Sequence, residues 1–219
     1  MQVHLIDGTF EHQDSNGGGG LITNGDTQWM TAGAGILHIE KPPEALVVSG
    51  GLFHGFQLWV NLPAKDKMTA PRYVGLQKEE IPTAVLEGGA VLHAVSGEWA
   101  GTAGAVQPLA DVQLAWLELP AGSRTELPIA AARSIFFYTV RGTLRVNGTD
   151  TQARQLVEFN HDGDELTIEA STDALILLGH AVPFNEPVVS SGPFVMNTEA
   201  EIQQAYADYR QGTFGTWKD

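Results

Sequence analysis

Short apolar runs separated by glycine and proline constrain this chain more than any other feature. Its 219 residues include 25 glycines and 11 prolines, and the apolar runs between them are mostly about four to eight residues long, the length of strands in a β-sandwich or barrel. We therefore predict an all-β fold. One helix is predicted near the C-terminus, where Thr198 and Glu201 form a capping box and apolar residues recur at helical spacing up to Gly212.

The first third of the chain predicts three strand regions and a linker. Residues 3–6 and 9–13 read as two strands joined by a tight hairpin turn at Asp7-Gly8. Residues 50–62 read as one long buried strand because they are almost entirely apolar. Residues 64–82 carry proline and a charge cluster, which predicts a linker.

The second half predicts a further series of strands and a faint internal repeat. Residues 6–10 followed by Gly25-Asp26 resemble residues 140–144 followed by Gly163-Asp164, and two copies of one barrel would account for the length. We place the boundary near residue 76, which gives an N-terminal barrel at 1–76 and a C-terminal barrel plus helix at 77–219. The further predicted strands are 84–86, 90–95, 112–119, 134–140, 143–146, 155–159, 166–168 and 174–178.

Composition excludes several classes of function. The net charge is −14 and the pI is near 4.7, so a phosphate backbone would be repelled and direct nucleic-acid binding is not expected. The apolar runs are too short to cross a membrane, and no basic-then-apolar leader opens the sequence. The chain has no cysteine, which fits a cytoplasmic location and excludes thiol chemistry.

The stretch at residues 25–40 carries the strongest chemical signal. It opens with a Gly-Asp turn, bends at Gly33 and Gly35, and then presents His38 and Glu40. Two residues apart on a strand, these side chains point to the same face. An imidazole and a carboxylate aimed together suit a divalent transition metal such as iron(II). A half-exposed polar strand face is the competing interpretation, and the two residues alone do not decide between them.

The remaining histidines give weaker signals. His54 lies in an apolar segment and reads as a hydrogen-bonded core or loop residue. His93 and His180 have no acidic or histidine neighbour at metal-ligand spacing, so a structural role is expected for both. His161 lies in a polar turn and is expected to be solvated. No Gly-x-Ser-x-Gly elbow and no P-loop occurs in the sequence.

Several strings resemble the pirin family, and they follow the family's order across nearly the whole chain. The most specific are Gln-Trp-Met-Thr-Ala-Gly at 28–33 and Gly-Pro-Phe-Val-Met-Asn-Thr at 192–198. The other similar segments are 11–15, 25–40, 51–63, Met68, 71–73 and 185–188.

This resemblance implies a bicupin, which consists of two antiparallel jelly-roll barrels. In the family the N-terminal barrel binds one metal, usually iron, through three histidines and a glutamate, and His38 and Glu40 match the third histidine and the glutamate. The other two ligands come from a His-Pro-His-x-Gly segment that would precede Met1. His4 and His12 do not form a His-x-His pair. We therefore expect an incomplete N-terminal barrel and half of a metal shell.

Three functions follow from the resemblance. The first is a metal-dependent dioxygenase that oxidises a flavonol such as quercetin, with Glu40 as both a metal ligand and the general base. The second is a non-enzymatic regulator or scaffold that binds a protein partner through its acidic surface. The third is an inactive truncated chain that forms a homodimer through unpaired strand edges of its open barrel.

Overall fold

The computed structural model of the protein describes residues 1–217 and divides into two compact units. The first unit combines Met1–Glu80 with the chain from Phe184 onward, and the second is Ile81–Pro183. Neighbouring strands pair antiparallel throughout both units. Within residues 1–217, no helix has the length and apolar character needed to cross a bilayer.

The first unit contains two main sheets, and the chain passes from one to the other several times. One sheet has the order β6-β1-β4-β7 and the other has the order β3-β2-β5. Short 3₁₀ turns occupy Ala64–Asp66 and Lys78–Glu80. The first seven strands and the first helix are β1 Gln2–Asp7, β2 Phe10–Asp14, β3 Gly19–Ile22, β4 Thr27–Thr31, β5 His38–Lys41, α1 Glu44–Ser49, β6 His54–Leu58 and β7 Arg72–Leu76.

The predicted hairpin at Asp7-Gly8 is wrong. β1 belongs to the four-stranded sheet and β2 to the three-stranded sheet, so this turn carries the chain from one sheet to the other. Such a passage and a hairpin use the same turn residues, and the sequence pattern does not distinguish them.

Two predictions about the middle of the first unit are also wrong. The long buried strand predicted at 50–62 is only the five-residue β6, and its residues are exposed or half-buried because it lies at a sheet edge. Trp59 just beyond it is 58% exposed. The predicted linker at 64–82 contains β7, which pairs with β4 from Thr27↔Leu76 to Thr31↔Arg72.

The second unit follows the predicted strand pattern more closely. It has a six-stranded sheet in the order β17-β14-β19-β12-β9-β8 and a four-stranded sheet in the order β13-β18-β15-β16. A 3₁₀ turn occupies Glu87–Gly89. Its strands are β8 Thr83–Val85, β9 Val91–Ser96, β10 Glu98–Trp99, β11 Thr102–Ala103, β12 Val112–Leu119, β13 Arg124–Pro128, β14 Ser134–Arg141, β15 Thr143–Val146, β16 Thr149–Gln152, β17 Gln155–Val157, β18 Glu165–Ala170 and β19 Ala174–Ala181.

The strands predicted at 112–119 and 143–146 are confirmed with the same bounds, whereas β13 and β16 were not predicted. Both of these strands contain too few apolar residues to stand out, since β13 reads Arg-Thr-Glu-Leu-Pro and β16 reads Thr-Asp-Thr-Gln. Alternate residues of the two sheets build one core, in which Leu117, Phe137 and Leu178 are fully buried. This core stabilises the second unit through the burial of apolar surface.

The chain returns to the first unit through β20 Val189–Ser191, β21 Phe194–Met196 and α2 Glu199–Gln211. The predicted helix is confirmed: Thr198 and Glu201 form the reciprocal capping box, and Gly212 ends the helix in the left-handed conformation. The helix packs with β20 and β21 in the first unit. This packing differs from the predicted assignment of the helix to the C-terminal barrel, because the predicted limits assumed one continuous segment per barrel.

Candidate metal centre

The pairing of β2 with β5 places four polar side chains on one face of the three-stranded sheet. His12 lies opposite Glu40 and Asp14 lies opposite His38 in this antiparallel pair. Directly opposed residues point to the same side of a sheet, and so do residues two apart on one strand. The register therefore brings together the His-x-Asp of one strand and the His-x-Glu of the other.

Three of these side chains lie close enough to share a metal ion. One ligand atom from each of His12, His38 and Glu40 falls within 4.8 Å of the others, and residues 1–217 contain no second group of this kind. His12 Nδ1 lies 3.7 Å from Glu40 Oε1. Two imidazoles and one carboxylate are the ligand set of non-haem iron(II) oxygenases, which leave open positions for substrate and oxygen.

The imidazole of His12 is buried and lacks hydrogen-bond partners. The residue is 1% exposed, and neither Nδ1 nor Nε2 makes a hydrogen bond. Buried polar groups are almost always hydrogen-bonded, because leaving one unpaired costs about 1–3 kcal/mol. A cation bound between His12, His38 and Glu40 would satisfy one of these nitrogens, so the residues present fit a metal ion.

His38 lies at the open side of the cluster. Partial burial lowers the pKa of its imidazole, an effect that Glu40 opposes and His12 adds to. A lowered pKa favours the neutral ring, which is the form that binds a metal. His38 also lies near His12, with a ring-centroid distance of 5.6 Å and an angle of 28° between the rings.

The carboxylate of Glu40 accepts a hydrogen bond on each oxygen. Gln28 Nε2 donates to Oε1, and Gln57 Nε2 donates to Oε2 at 2.7 Å. Gln28 is completely buried and its Oε1 accepts a hydrogen bond from the Tyr73 hydroxyl at 3.1 Å. The ring of Tyr73 stacks on His12, with centroids 4.2 Å apart and planes 8° apart. Burial, followed by the charges of Glu40 and Asp14, raises the pKa of Tyr73 to about 12, so its hydroxyl is protonated at neutral pH.

Asp14 lies beside His12 at the buried side of the cluster. Its Oδ1 accepts hydrogen bonds from the backbone N–H groups of Asn16 and Gly18, which holds the glycine-rich turn after β2. Its buried Oδ2 has no hydrogen-bond partner and lies 3.5 Å from His12 Nε2. Asp14 therefore places a negative charge beside His12.

Gly35 shapes the approach to β5. It has a φ of +125°, and a Cβ at this position would lie 2.1 Å from the ring of Phe214. The aromatic ring from the C-terminal segment therefore rests on the bare glycine backbone just before His38. This contact explains why a glycine occupies this position.

The other histidines do not join the cluster. His54 is exposed, and His161 is exposed with a ring nitrogen 2.9 Å from the Ala131 carbonyl. His93 lies 3.4 Å from Glu118. His180 is buried and its Nδ1 accepts a hydrogen bond from Arg133 Nε at 2.6 Å.

The structure brings the two predicted ligands together and adds one that the sequence analysis did not select. His38 and Glu40 lie on the same face of β5, and His12 joins them from β2. His12 has no His-x-His partner in the sequence, and its neighbours in the cluster come from another strand. The available signal was the repeated spacing of His-x-Asp at 12–14 and His-x-Glu at 38–40.

Comparisons with known proteins match both parts of the chain to one protein family. A pirin family model matches residues 3–60, and a model of the pirin C-terminal cupin domain matches residues 114–215. A pirin-like protein of Caulobacter vibrioides is 38% identical over 214 residues, which cover 97% of this chain and 76% of that protein. The chain belongs to the pirin family.

Solved structures of pirin relatives share the fold. A quercetin 2,3-dioxygenase from Acinetobacter baumannii is 36% identical, with a TM-score of 0.91 over 98% of this chain and 75% of that one. The bacterial pirin YhhW from Escherichia coli, solved in complex with nickel(II), is 25% identical, with a TM-score of 0.65 over 83% of this chain and 72% of that one. The predicted bicupin fold is confirmed for this pirin-family chain.

Proposed function

We propose that this pirin-family chain is a metal-dependent dioxygenase that acts on a flavonol such as quercetin. A divalent metal would be held by His12, His38 and Glu40. The proposal rests on the shared position of these three side chains on one sheet face, with both nitrogens of the buried His12 unpaired. The similarity to a quercetin 2,3-dioxygenase supports the choice of substrate class.

A bound divalent metal such as iron(II) would supply the redox and Lewis-acid chemistry that a flavonol needs to react with dioxygen. The protein side chains would supply the proton chemistry. Glu40 would accept the proton of the flavonol hydroxyl, since each of its oxygens retains a lone pair beyond the one used by a glutamine amide. The exposed position of His38 leaves this side of the cluster accessible to a substrate.

Quercetin turnover tests this proposal. The purified chain, loaded separately with iron(II) and nickel(II), should remove the visible absorbance of quercetin in the presence of oxygen. Glu40→Ala should abolish turnover, whereas Glu158→Ala, which removes an exposed carboxylate of the second unit, should leave it unchanged. Equal turnover by wild type and Glu40→Ala would remove the proposed role of Glu40. An inactive metal-loaded wild type would refute the dioxygenase proposal.

A second candidate function is self-association through the edge of β6. Only β1 pairs with this strand among the described residues, so a second copy can add a strand along its other side. Leu52, Phe53 and Trp59 around it are exposed. No Asp, Glu, Lys or Arg occurs between Ala45 and Ala64, although the whole chain carries −14. Two such acidic chains repel each other least where both surfaces lack charge.

Sedimentation velocity tests the predicted homodimer. Wild type is expected to sediment as a dimer, and Trp59→Ser should shift it to a monomer. Trp217→Ser removes another exposed tryptophan, far along the chain, and should leave the dimer intact. A monomeric wild type at micromolar concentration would refute this candidate.

A further inference from the structure

Three side chains of the four-stranded sheet hold the candidate ligands of the three-stranded sheet. We propose that Tyr73, Gln28 and Gln57 are positioning residues that fix His12 and Glu40 for metal binding. This inference rests on the proposed function, because it assigns roles around the same candidate metal centre.

The strand register places the two glutamines on one face. Gln57 of β6 and Gln28 of β4 both lie opposite Val3 of the intervening strand β1. Residues in register across three neighbouring strands point to the same side of a sheet. The two amides therefore approach Glu40 together, and each donates to a different carboxylate oxygen. Two donors on one carboxylate restrict rotation of its plane, which fixes the direction of the remaining lone pairs.

The hydroxyl of Tyr73 holds the Gln28 amide in the orientation that Glu40 requires. An amide offers a donor at one end and an acceptor at the other, and the two ends have nearly the same shape. The Glu40 carboxylate can only accept, so Gln28 Nε2 must face it, and the Tyr73 hydroxyl donates to the remaining Oε1 at 3.1 Å. A flipped amide would present its oxygen to the carboxylate, and two acceptors would then repel each other.

Gly75 makes room for this hydroxyl. It lies opposite Gln28 in the pairing of β4 with β7, two residues from Tyr73 and on the same face. A Cβ at Gly75 would lie 3.1 Å from the Tyr73 hydroxyl oxygen, which is closer than most real contacts of that kind. A larger residue at 75 would therefore press against the hydroxyl where it meets Gln28.

Tyr73 thus acts on both ligands, on His12 directly and on Glu40 through Gln28. Its ring stacks on the unpaired imidazole of His12, and its hydroxyl acts on Glu40 through Gln28. Groups that orient metal ligands in this way typically contribute about 10–100-fold to metal affinity. The ring packs on His12 and the hydroxyl donates to Gln28. Tyr73→Phe removes only the hydroxyl.

Nickel(II) titration by calorimetry, with a double-mutant cycle, tests the proposal. Tyr73→Phe and Gln28→Met should each weaken binding about tenfold. The double variant should bind no more weakly than Gln28→Met, because the hydroxyl acts through that amide. Tyr209→Phe and Gln13→Met make the same chemical changes at residues outside the cluster and should bind like wild type.

Melting temperatures of the metal-free variants separate positioning from a general structural role. A positioning role predicts an unchanged melting temperature without metal and weaker nickel binding. A general structural role predicts a lower melting temperature without metal and unchanged nickel binding. Gln57→Met changes an exposed residue and keeps the test available if Gln28→Met does not fold; it too should weaken nickel binding. Wild-type affinity in Tyr73→Phe, or losses that multiply in the double variant, would overturn the positioning role while the metal site stands. A wild type that binds no nickel would refute the metal site itself.

Discussion

His12 and Glu40 lie directly opposite each other on β2 and β5, with His12 Nδ1 3.7 Å from Glu40 Oε1. This cross-strand pair joins a buried imidazole to a carboxylate whose two oxygens are held by glutamine amides. The pair belongs to the sheet scaffold itself, since backbone register sets its geometry. A rigid scaffold of this kind favours a preorganised site.

Gly35→Ala should destabilise the first unit more than an ordinary glycine substitution. The new methyl group would meet the Phe214 ring and would also force alanine to a φ of +125°. Gly17→Ala provides the control, because Gly17 has a φ of +86° but no heavy atom lies within 4 Å of where its Cβ would be. We expect a loss of about 1–2 kcal/mol for Gly17→Ala and a further 1–3 kcal/mol or so for Gly35→Ala from overpacking. Urea unfolding measures both, and equal losses would show that the ring does not rest on Gly35.

Local sequence patterns predicted two of the three candidate ligands, His38 and Glu40, but not His12. His38 and Glu40 lie two residues apart, so the period of a strand places them on one face without knowledge of the rest of the fold. His12 joins them only because β2 pairs with β5 in one particular register. Pairing between strands so far apart in the chain depends on the whole sheet, and no short motif encodes it.

The same distinction explains the errors in the fold. The capping box of α2 and the apolar run of β12 are local signals, and both elements have the predicted positions. The apolar residues around β6 predicted burial, but burial requires a neighbouring layer, and β6 lies at a sheet edge. The turn at Asp7-Gly8 likewise gave no sign that its two strands enter different sheets.

His180 should make the second unit less stable in acid. Burial, followed by the charge of Arg133, lowers the pKa of this histidine from 6.5 to about 4 in the folded protein. Between these values the unfolded chain binds a proton that the folded chain does not, so the contribution is complete above pH 6.5 and is lost as the pH falls toward 4. Protonation of Nδ1 would also remove the acceptor for Arg133 Nε.

His180→Asn provides the matched variant, because its amide oxygen can accept the Arg133 hydrogen bond without titrating. The free energy of unfolding of wild type should fall relative to this variant between pH 6.5 and 4, with a slope of up to about 1.4 kcal/mol per pH unit. Parallel pH curves for the two proteins would contradict the assignment to His180.

Thr198→Ala should weaken α2 through loss of its cap. The Thr198 side chain accepts the backbone N–H of Glu201, and the Glu201 carboxylate accepts the backbone N–H of Thr198. Replacing a threonine cap with alanine costs about 1 kcal/mol. Thr216→Ala removes an exposed threonine beyond the helix and should cost less than about 0.5 kcal/mol. Urea denaturation followed by circular dichroism compares them, and equal stabilities would show that the capping box does not contribute.

Metal content after equilibrium dialysis tests the central claim most directly. Wild type, His12→Ala and His54→Ala are dialysed against iron(II) without oxygen and, separately, against nickel(II). His54 is exposed and lies outside the cluster, so its removal controls for the loss of any histidine. Wild type and His54→Ala should each retain about one equivalent of metal, and His12→Ala should bind more than about a hundredfold more weakly because it lacks a direct ligand. A wild type that retains no metal, or a His12→Ala variant that retains as much as wild type, would contradict the metal centre built on His12, His38 and Glu40.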